Sequence, residues 1–133
     1  MEDLYGIKEF PRETPEGWDA LVDAMADELT QQLSAEGVDP ADYEVVQIKE
    51  KFGEIRYYDS SHSDVVDDII EKYEKLSSCT CANCGAPAEY MSIGYFLPFC
   101  KDCKRKNGRR GHPSPIPTPC LGRRKAYGHF GKA

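Results

Sequence analysis

The sequence predicts an α+β protein: a small αββα unit, then a four-cysteine module, then a flexible, basic, proline-rich tail. Two segments carry apolar residues at helical spacing, and two runs between them alternate apolar and polar residues. All six cysteines follow residue 78, and four prolines alternate with other residues over 113–119. These changes divide the chain into an acidic unit at 1–78, a zinc-binding module at 79–107 and a tail at 108–133.

The first helix is predicted over residues 16–36. Thr14 is expected to cap it, and Pro15 suits the helix start because the N–H that it lacks is not needed there. Gly37 is expected to end the helix. Its apolar positions are Trp18, Leu21, Val22, Met25, Leu29 and Leu33. A second helix is predicted over residues 64–77, with inward positions Val66, Ile69, Ile70, Tyr73 and Leu76.

Residues 43–51 and 54–59 change to the two-residue period of strands, and Gly53 permits a turn between them. The sequence therefore predicts a hairpin. In its first strand we expect Val46, Ile48 and Phe52 to share one face. The other face would carry Val45, Gln47, Lys49 and Lys51.

The formal net charge of −6 hides a division of the chain. Residues 1–78 contain 21 acidic and 7 basic residues, a net charge of −14, whereas residues 79–133 contain 2 and 10, a net charge of +8. Such asymmetry indicates an interaction tail or contact with nucleic acid. The alternative is that the two ends of the chain attract each other.

Two Cys-x2-Cys pairs carry the strongest chemical signal. They are separated by fifteen residues, and their members are Cys81, Cys84, Cys100 and Cys103. Two such turns can supply the four corners of a tetrahedral site, which predicts one structural Zn²⁺. Gly85 would let the first turn curl around the metal. A hairpin at about 89–96 and a short helix beginning at the second pair would give a treble-clef or zinc-ribbon module.

Other uses of these cysteines remain open: an iron–sulfur cluster, a redox dithiol or free buried thiols. Cys79 lies close enough in sequence to serve as an alternative ligand, and Cys120 in the tail is expected to be a free thiol. The acidic start of the chain does not resemble a signal peptide, and no apolar run approaches the roughly 20 residues of a membrane-spanning helix. We therefore expect a cytoplasmic location, where metal is favoured over disulfides.

No catalytic residue is predicted. Four cysteines would occupy every ligand position of the metal, whereas zinc catalysis needs an open one. An HNH-like nuclease would need histidines near the pairs, yet His62 lies in a predicted turn and both His112 and His129 lie in the tail. A remnant of such a nuclease is the less favoured interpretation.

The basic residues after the second pair are candidates for binding nucleic acid, because Lys and Arg neutralise phosphates and release counterions. The residues predicted to do so are Lys104, Arg105, Lys106, Arg109, Arg110, Arg123, Arg124 and Lys125. Tyr127 and Phe130 could stack on unpaired bases. The alternative is a tail that folds back onto the acidic helices.

The segment VVQIKEKFGEIRYY at 45–58 follows Gly17-Trp18 and precedes the two cysteine pairs. Together these motifs resemble a family of small uncharacterised proteins that are frequent in bacteriophages and prophages, over about residues 16–104. The resemblance implies a phage context, hence the host cytoplasm, and no activity. It adds a second hypothesis, an inhibitor or adaptor whose acidic half binds a host protein. The charged residues beside the hairpin turn form either a binding edge or cross-strand ion pairs: Lys49, Lys51, Glu54 and Arg56.

Overall fold

A computed structural model of the chain describes residues 2–92, 97–103 and 114–115. The first strand, β1, is Arg12–Glu13, and a 3-10 turn at Glu16–Trp18 leads into helix α1, Asp19–Ala35. A second 3-10 turn at Pro40–Asp42 precedes strands β2, Val45–Lys51, and β3, Glu54–Asp59. Helix α2 is Asp64–Ser77, and the short strands β4, β5 and β6 are Tyr90–Met91, Pro98–Phe99 and Ser114–Pro115. The mixed α+β class is confirmed.

The first sheet has the order β1-β2-β3, in which β1 is parallel to β2 and β3 is antiparallel to it. Ile48, Ile55 and Tyr57 of this sheet are buried in one cluster with the apolar residues of α1 and α2. Both helices therefore pack on the same side of the sheet. The opposite face carries polar and exposed residues and is not covered by a helix among the described residues.

The predicted faces of β2 are wrong at both ends. Val45 is buried whereas Val46 is 57% exposed, because the pairing register shifts between Val45 and Gln47, as in a β-bulge. The extra residue moves Val45 to the same buried face as Ile48. Phe52 lies in the turn rather than in the strand, and it is 68% exposed.

The turn between β2 and β3 consists of Phe52 and Gly53, whose φ angles are 53° and 81°. Two positive φ angles in a two-residue loop are typical of a type I′ hairpin turn. Gly adopts this conformation freely, whereas a side chain makes it unfavourable by about 1 kcal/mol. Phe52 is therefore an unusual residue for its position.

The start of α1 also differs from the prediction. Pro15 occupies the N-cap of the 3-10 turn and no side chain caps it. The Thr14 hydroxyl is buried and has no hydrogen-bond partner among the described residues. In α2, by contrast, the Ser63 hydroxyl caps the helix by accepting a hydrogen bond from Val66 N.

The second sheet has the order β5-β4-β6, and both pairings are antiparallel. The first strand of the hairpin predicted at about 89–96 is present as β4, but its partner β5, Pro98–Phe99, lies beyond the predicted range, and residues 93–96 lie outside the described residues. In the region predicted as an extended spacer, residues 114–115 are extended and pair with β4. The rest of the predicted tail lies outside the described part of the chain. No helix in the described part is long and apolar enough to cross a membrane.

Candidate metal centre

The structure brings the four predicted cysteines together. The sulfur atoms of Cys81, Cys84, Cys100 and Cys103 all lie within 4.8 Å of one another. None of the four forms a disulfide. Three of them are buried, and Cys84 is exposed at the surface. The cluster therefore has one side open to solvent and one side against the protein.

Backbone hydrogen bonds shape the first pair into a tight turn. Cys81 N donates to Ala86 O at 2.7 Å, and Gly85 N donates back to Cys81 O at 3.0 Å. Gly85 has φ +83°, which a residue with a side chain rarely adopts. The glycine predicted to let this loop curl does have the required backbone conformation.

The second pair lies where β5 gives way to a helical segment at 101–103. Cys103 N points at Cys100 Sγ over 3.4 Å, and the Asn83 side-chain N–H donates to Cys103 Sγ at 3.3 Å. Ala82 N donates to Pro98 O at 2.8 Å, which ties the two turns together. Backbone and amide donors thus converge on the sulfur atoms, as they do around bound thiolates.

Loss of solvation and crowding act against ionisation of two of these thiols, Cys84 and Cys100. Cys84 is exposed as a residue, but partial loss of water around its thiol raises its pKa to about 12, and the neighbouring Cys100 thiol adds to the shift. Burial also raises the pKa of Cys100. For Cys81, burial is outweighed by nearby backbone N–H groups, which lower its pKa. Negative charges on sulfurs packed this closely repel one another, so a bound cation would favour the thiolate forms.

The donor set fits a tetrahedral metal ion. A metal–sulfur distance of about 2.3 Å in a tetrahedron places the sulfurs about 3.8 Å apart. Cys84 Sγ and Cys100 Sγ are 3.6 Å apart. Sulfur-only ligands are typical of zinc and of iron rather than of calcium or magnesium. The four cysteines could therefore hold one such ion.

Cys79 is not part of this cluster, because the four clustered sulfurs belong to Cys81, Cys84, Cys100 and Cys103. Its sulfur also lies 3.8 Å from the Lys75 carbonyl oxygen at the end of α2. The alternative in which Cys79 replaces a ligand of the first pair is therefore not what the structure shows. Cys120 lies outside the described residues.

The cluster is fastened to the helical core through Gly17 and Trp18. Gly17 N donates to Ala82 O at 2.9 Å, and the indole N–H of Trp18 donates to Thr80 O at 2.9 Å. A Cβ atom on Gly17 would overlap the carbonyl oxygen of Cys81. The sequence contains this Gly-Trp pair as a visible motif, but only the structure shows that the pair contacts the first cysteine turn.

The sequence does not predict that Asn83 donates a hydrogen bond to the cluster, since nothing in the sequence around it indicates this role.

None of the basic residues predicted to bind nucleic acid lies in the described part of the chain. They are Lys104, Arg105, Lys106, Arg109, Arg110, Arg123, Arg124 and Lys125. The basic run begins at Lys104, directly after the last candidate ligand, Cys103.

An acidic groove that sequence reasoning missed lies between β3 and α2. It has a volume of about 580 Å³, and its lining includes Asp59, Asp67, Glu71 and Glu74. Burial raises the pKa of Asp59, although the Tyr43 hydroxyl donates to its carboxylate at 2.6 Å. Burial likewise raises the pKa of Glu74. Asp59 ends β3, whereas Asp67, Glu71 and Glu74 follow one another at intervals of about one turn in α2. Only the fold shows that the four acids share one groove.

Comparisons of the chain with protein-family models, with curated proteins and with solved structures found no match.

Proposed function

We propose that the four-cysteine cluster binds one structural Zn²⁺ in a treble-clef or zinc-ribbon-like module, and that the basic C-terminal segment then binds nucleic acid. The single observation that carries the proposal is the cluster itself, with all four sulfurs within 4.8 Å. Its last ligand, Cys103, directly precedes the basic run that begins at Lys104. The metal would thus fix the point from which this run leaves the protein.

The charge distribution supports the choice of nucleic acid. Nine of the ten basic residues after residue 78 lie at or beyond position 104, where no acidic residue occurs. Phosphates attract such a segment, and the released counterions make the affinity fall steeply with salt. Four thiolates would also occupy all the positions of a tetrahedral ion, which favours a non-enzymatic role. With the resemblance in sequence, this describes a phage-type accessory protein.

Binding of labelled single-stranded and duplex oligonucleotides at several salt concentrations tests the proposal. The tail variant, in which Arg109, Arg110, Arg123 and Arg124 are replaced by Gln, should bind more weakly and with a smaller salt dependence. The control is a variant with Lys72 and Lys75 replaced by Gln, since both lie in α2 and are ion-paired, Lys72 to Glu28 of α1 and Lys75 to Glu71 of α2. Equal binding by the tail variant and the wild type, or no binding at low salt, would refute the proposal.

The acidic groove favours a second candidate function, an inhibitor or adaptor that binds a basic host protein. Asp59, Asp67, Glu71 and Glu74 are among the residues that line this groove between β3 and α2. This hypothesis predicts a salt-sensitive protein complex that survives nuclease treatment. Capture of partners from host lysate, with the full chain and with a chain ending at Asn107, separates the two functions. A nuclease-sensitive complex that needs the tail supports nucleic-acid binding. A nuclease-resistant complex supports the inhibitor or adaptor.

A further inference from the structure

The uncovered face of the first sheet contains the only unpaired ammonium groups of the acidic half among the described residues. Residues 1–78 have 7 basic residues. Five of these form ion pairs with carboxylates: Lys8, Arg12, Arg56, Lys72 and Lys75. Lys49 and Lys51 are the two exceptions. In a region with 21 acidic residues, two neighbouring lysines without a carboxylate partner are an unexpected arrangement.

Both lysines lie against aromatic rings instead. Lys49 Nζ is 5.9 Å from the centre of the Tyr58 ring, and Lys51 Nζ is 5.6 Å from the centre of the Phe52 ring. Tyr58 and Phe52 are 44% and 68% exposed, so each ring keeps a surface free for a ligand. A cation beside an open aromatic ring suits a ligand that has both negative charge and flat rings.

The strand register places these groups on one surface. Lys49 is opposite Arg56, and Gln47 is opposite Tyr58, so all four side chains alternate away from the buried Ile48 and Tyr57. Glu54 lies opposite Lys51 in the strand register. Its carboxylate, however, forms an ion pair with Arg56, with an N–O distance of 2.7 Å, and not with Lys51. We call this surface the hairpin face. It contains Lys49, Lys51, Phe52, Glu54, Arg56 and Tyr58, and Glu13 of β1 lies opposite Lys49 at its edge.

Phe52 provides an independent reason to expect a ligand at this face. It has φ +53° at a turn position where Asn or Gly is conformationally easier, and its ring is largely exposed. The ring therefore makes little contact with the core, and the conformation is unfavourable. Strained, exposed residues of this kind are common where a side chain contacts a ligand.

We propose that the hairpin face binds unpaired nucleotides of a single-stranded nucleic acid. Lys49 and Lys51 contact phosphates, while Phe52 and Tyr58 stack on bases. The inference rests on the proposed nucleic-acid function, to which it adds a second contact surface and a preference for single strands. A duplex offers its phosphates but not its stacked bases, so the rings distinguish the two forms.

The test uses the full, metal-loaded chain and measures the affinity for a labelled oligo(dT) strand and for a duplex of equal length. In the first variant Lys49 and Lys51 become Gln, and the slope of log affinity against log salt should fall by about 1.4 for the single strand. In the second variant, Phe52→Asn, single-strand affinity should fall roughly fivefold or more, as expected for a lost stacking contact. Duplex affinity should not change in Phe52→Asn.

Phe52→Asn also separates binding from folding. Asn-Gly is a preferred type I′ turn, so this variant should unfold at a higher urea concentration than the wild type while it binds more weakly. A purely structural role for Phe52 predicts no loss of affinity in a more stable protein. The charge control again has Lys72 and Lys75 replaced by Gln, and it should keep wild-type affinity for the strand.

The outcomes separate this inference from the proposed role of the tail. Weaker binding in the tail variant but unchanged binding in both hairpin-face variants would overturn the hairpin face alone. Weaker binding in the hairpin-face variants but not in the tail variant would support the face and overturn the role of the tail. If poly-glutamate binds as tightly as oligo(dT) and with the same dependence on Lys49, Lys51 and Phe52, the partner is an acidic protein and the inference is wrong.

Discussion

Two regions of this chain achieve order by different means. The helices and the first sheet share a cluster of twenty buried residues that includes Trp18, Met25 and Ile48. Among the described residues, the cysteine region has a second cluster of three buried cysteines, against which Ala86 and Phe99 pack. The first region can be stabilised by removing apolar surface from water. The described residues of the second bury little apolar surface of their own, and Ala88, Met91 and Leu97 pack in or against the first cluster instead. Metal coordination is therefore expected to replace hydrophobic burial in the second region.

The largest effect should come from breaking the metal site. Cys103→Ser removes a buried candidate ligand, and we expect the loss of stoichiometric zinc, whose apparent binding free energy is on the order of 10 kcal/mol in small modules. Elemental analysis of the purified protein measures the metal content, and amide exchange reports which region loses protection. Lys101→Ser, at an exposed position between the two cysteines of the second pair, is the matched control and should keep the metal. A metal-free wild type with a well-ordered cysteine region would show that the site is not a metal site.

The next effect concerns the contact between the regions. In Gly17→Ala the new Cβ would overlap Cys81 O and lie 2.6 Å from Ala82 O, so the first cysteine turn must shift. We expect a loss of about 3 kcal/mol in unfolding free energy, measured by urea denaturation. Gly37→Ala is the control: its φ is +74° and nothing lies within 4 Å of the new atom, so it should lose only about 1 kcal/mol. Equal losses in both variants would show that the close contact contributes nothing.

A smaller effect is expected from a donor to the cluster. Asn83→Ala removes the N–H that points at Cys103 Sγ, and it should weaken zinc affinity about tenfold without changing the urea midpoint of the core. Asn83→Asp, which places an anion beside the thiolates, should weaken it further. Competition with a chelator measures both affinities. Unchanged zinc affinity in both variants would contradict this role of Asn83.

The smallest effects should appear in the pH dependence of the helical region. Burial raises the pKa of Glu74, so its contribution to stability is complete below its ordinary pKa of 4.5 and is lost as pH rises through the folded-state value. Glu74→Gln should therefore stabilise the protein near pH 7, by less than about 1 kcal/mol, and leave it unchanged near pH 3. The Gln oxygen can still accept the hydrogen bond from Tyr57 N.

Glu71, one turn away on α2, should behave in the opposite way. The hydrogen bond from Lys75 lowers the pKa of Glu71, so this contribution is present above 4.5 and is lost as pH falls through the folded-state value. Glu71→Gln should destabilise the protein near pH 7. Urea midpoints of both variants relative to the wild type check the two signs, and identical signs would contradict the assignment.

The elements that sequence predicted best are those with a long, regular pattern. The helices, the hairpin and the four clustered cysteines carry such patterns, since each repeats a fixed spacing of one residue type. The two-residue strand Arg12–Glu13 has no period, so it was not predicted. Tyr5 and Ile7 are buried in the core, although the N-terminal segment has no regular apolar spacing to indicate it.

The wrong details have local physical causes. Val45 and Val46 are identical residues, so alternation alone cannot show which of them the bulge turns inward. Phe52 continues the apolar period of β2, but the turn begins there and places it in solvent. The contact of Gly17 with the first cysteine turn joins residues more than sixty positions apart, and a single sequence contains no signal for such a contact.

The indole of Trp18 gives the protein an internal optical probe. It is the only tryptophan in the chain, it is fully buried, and its N–H donates to the carbonyl of Thr80, the residue before the first cluster cysteine. Movement of that carbonyl would change the environment of the excited indole. Intrinsic fluorescence should therefore report metal release in real time, without any added label.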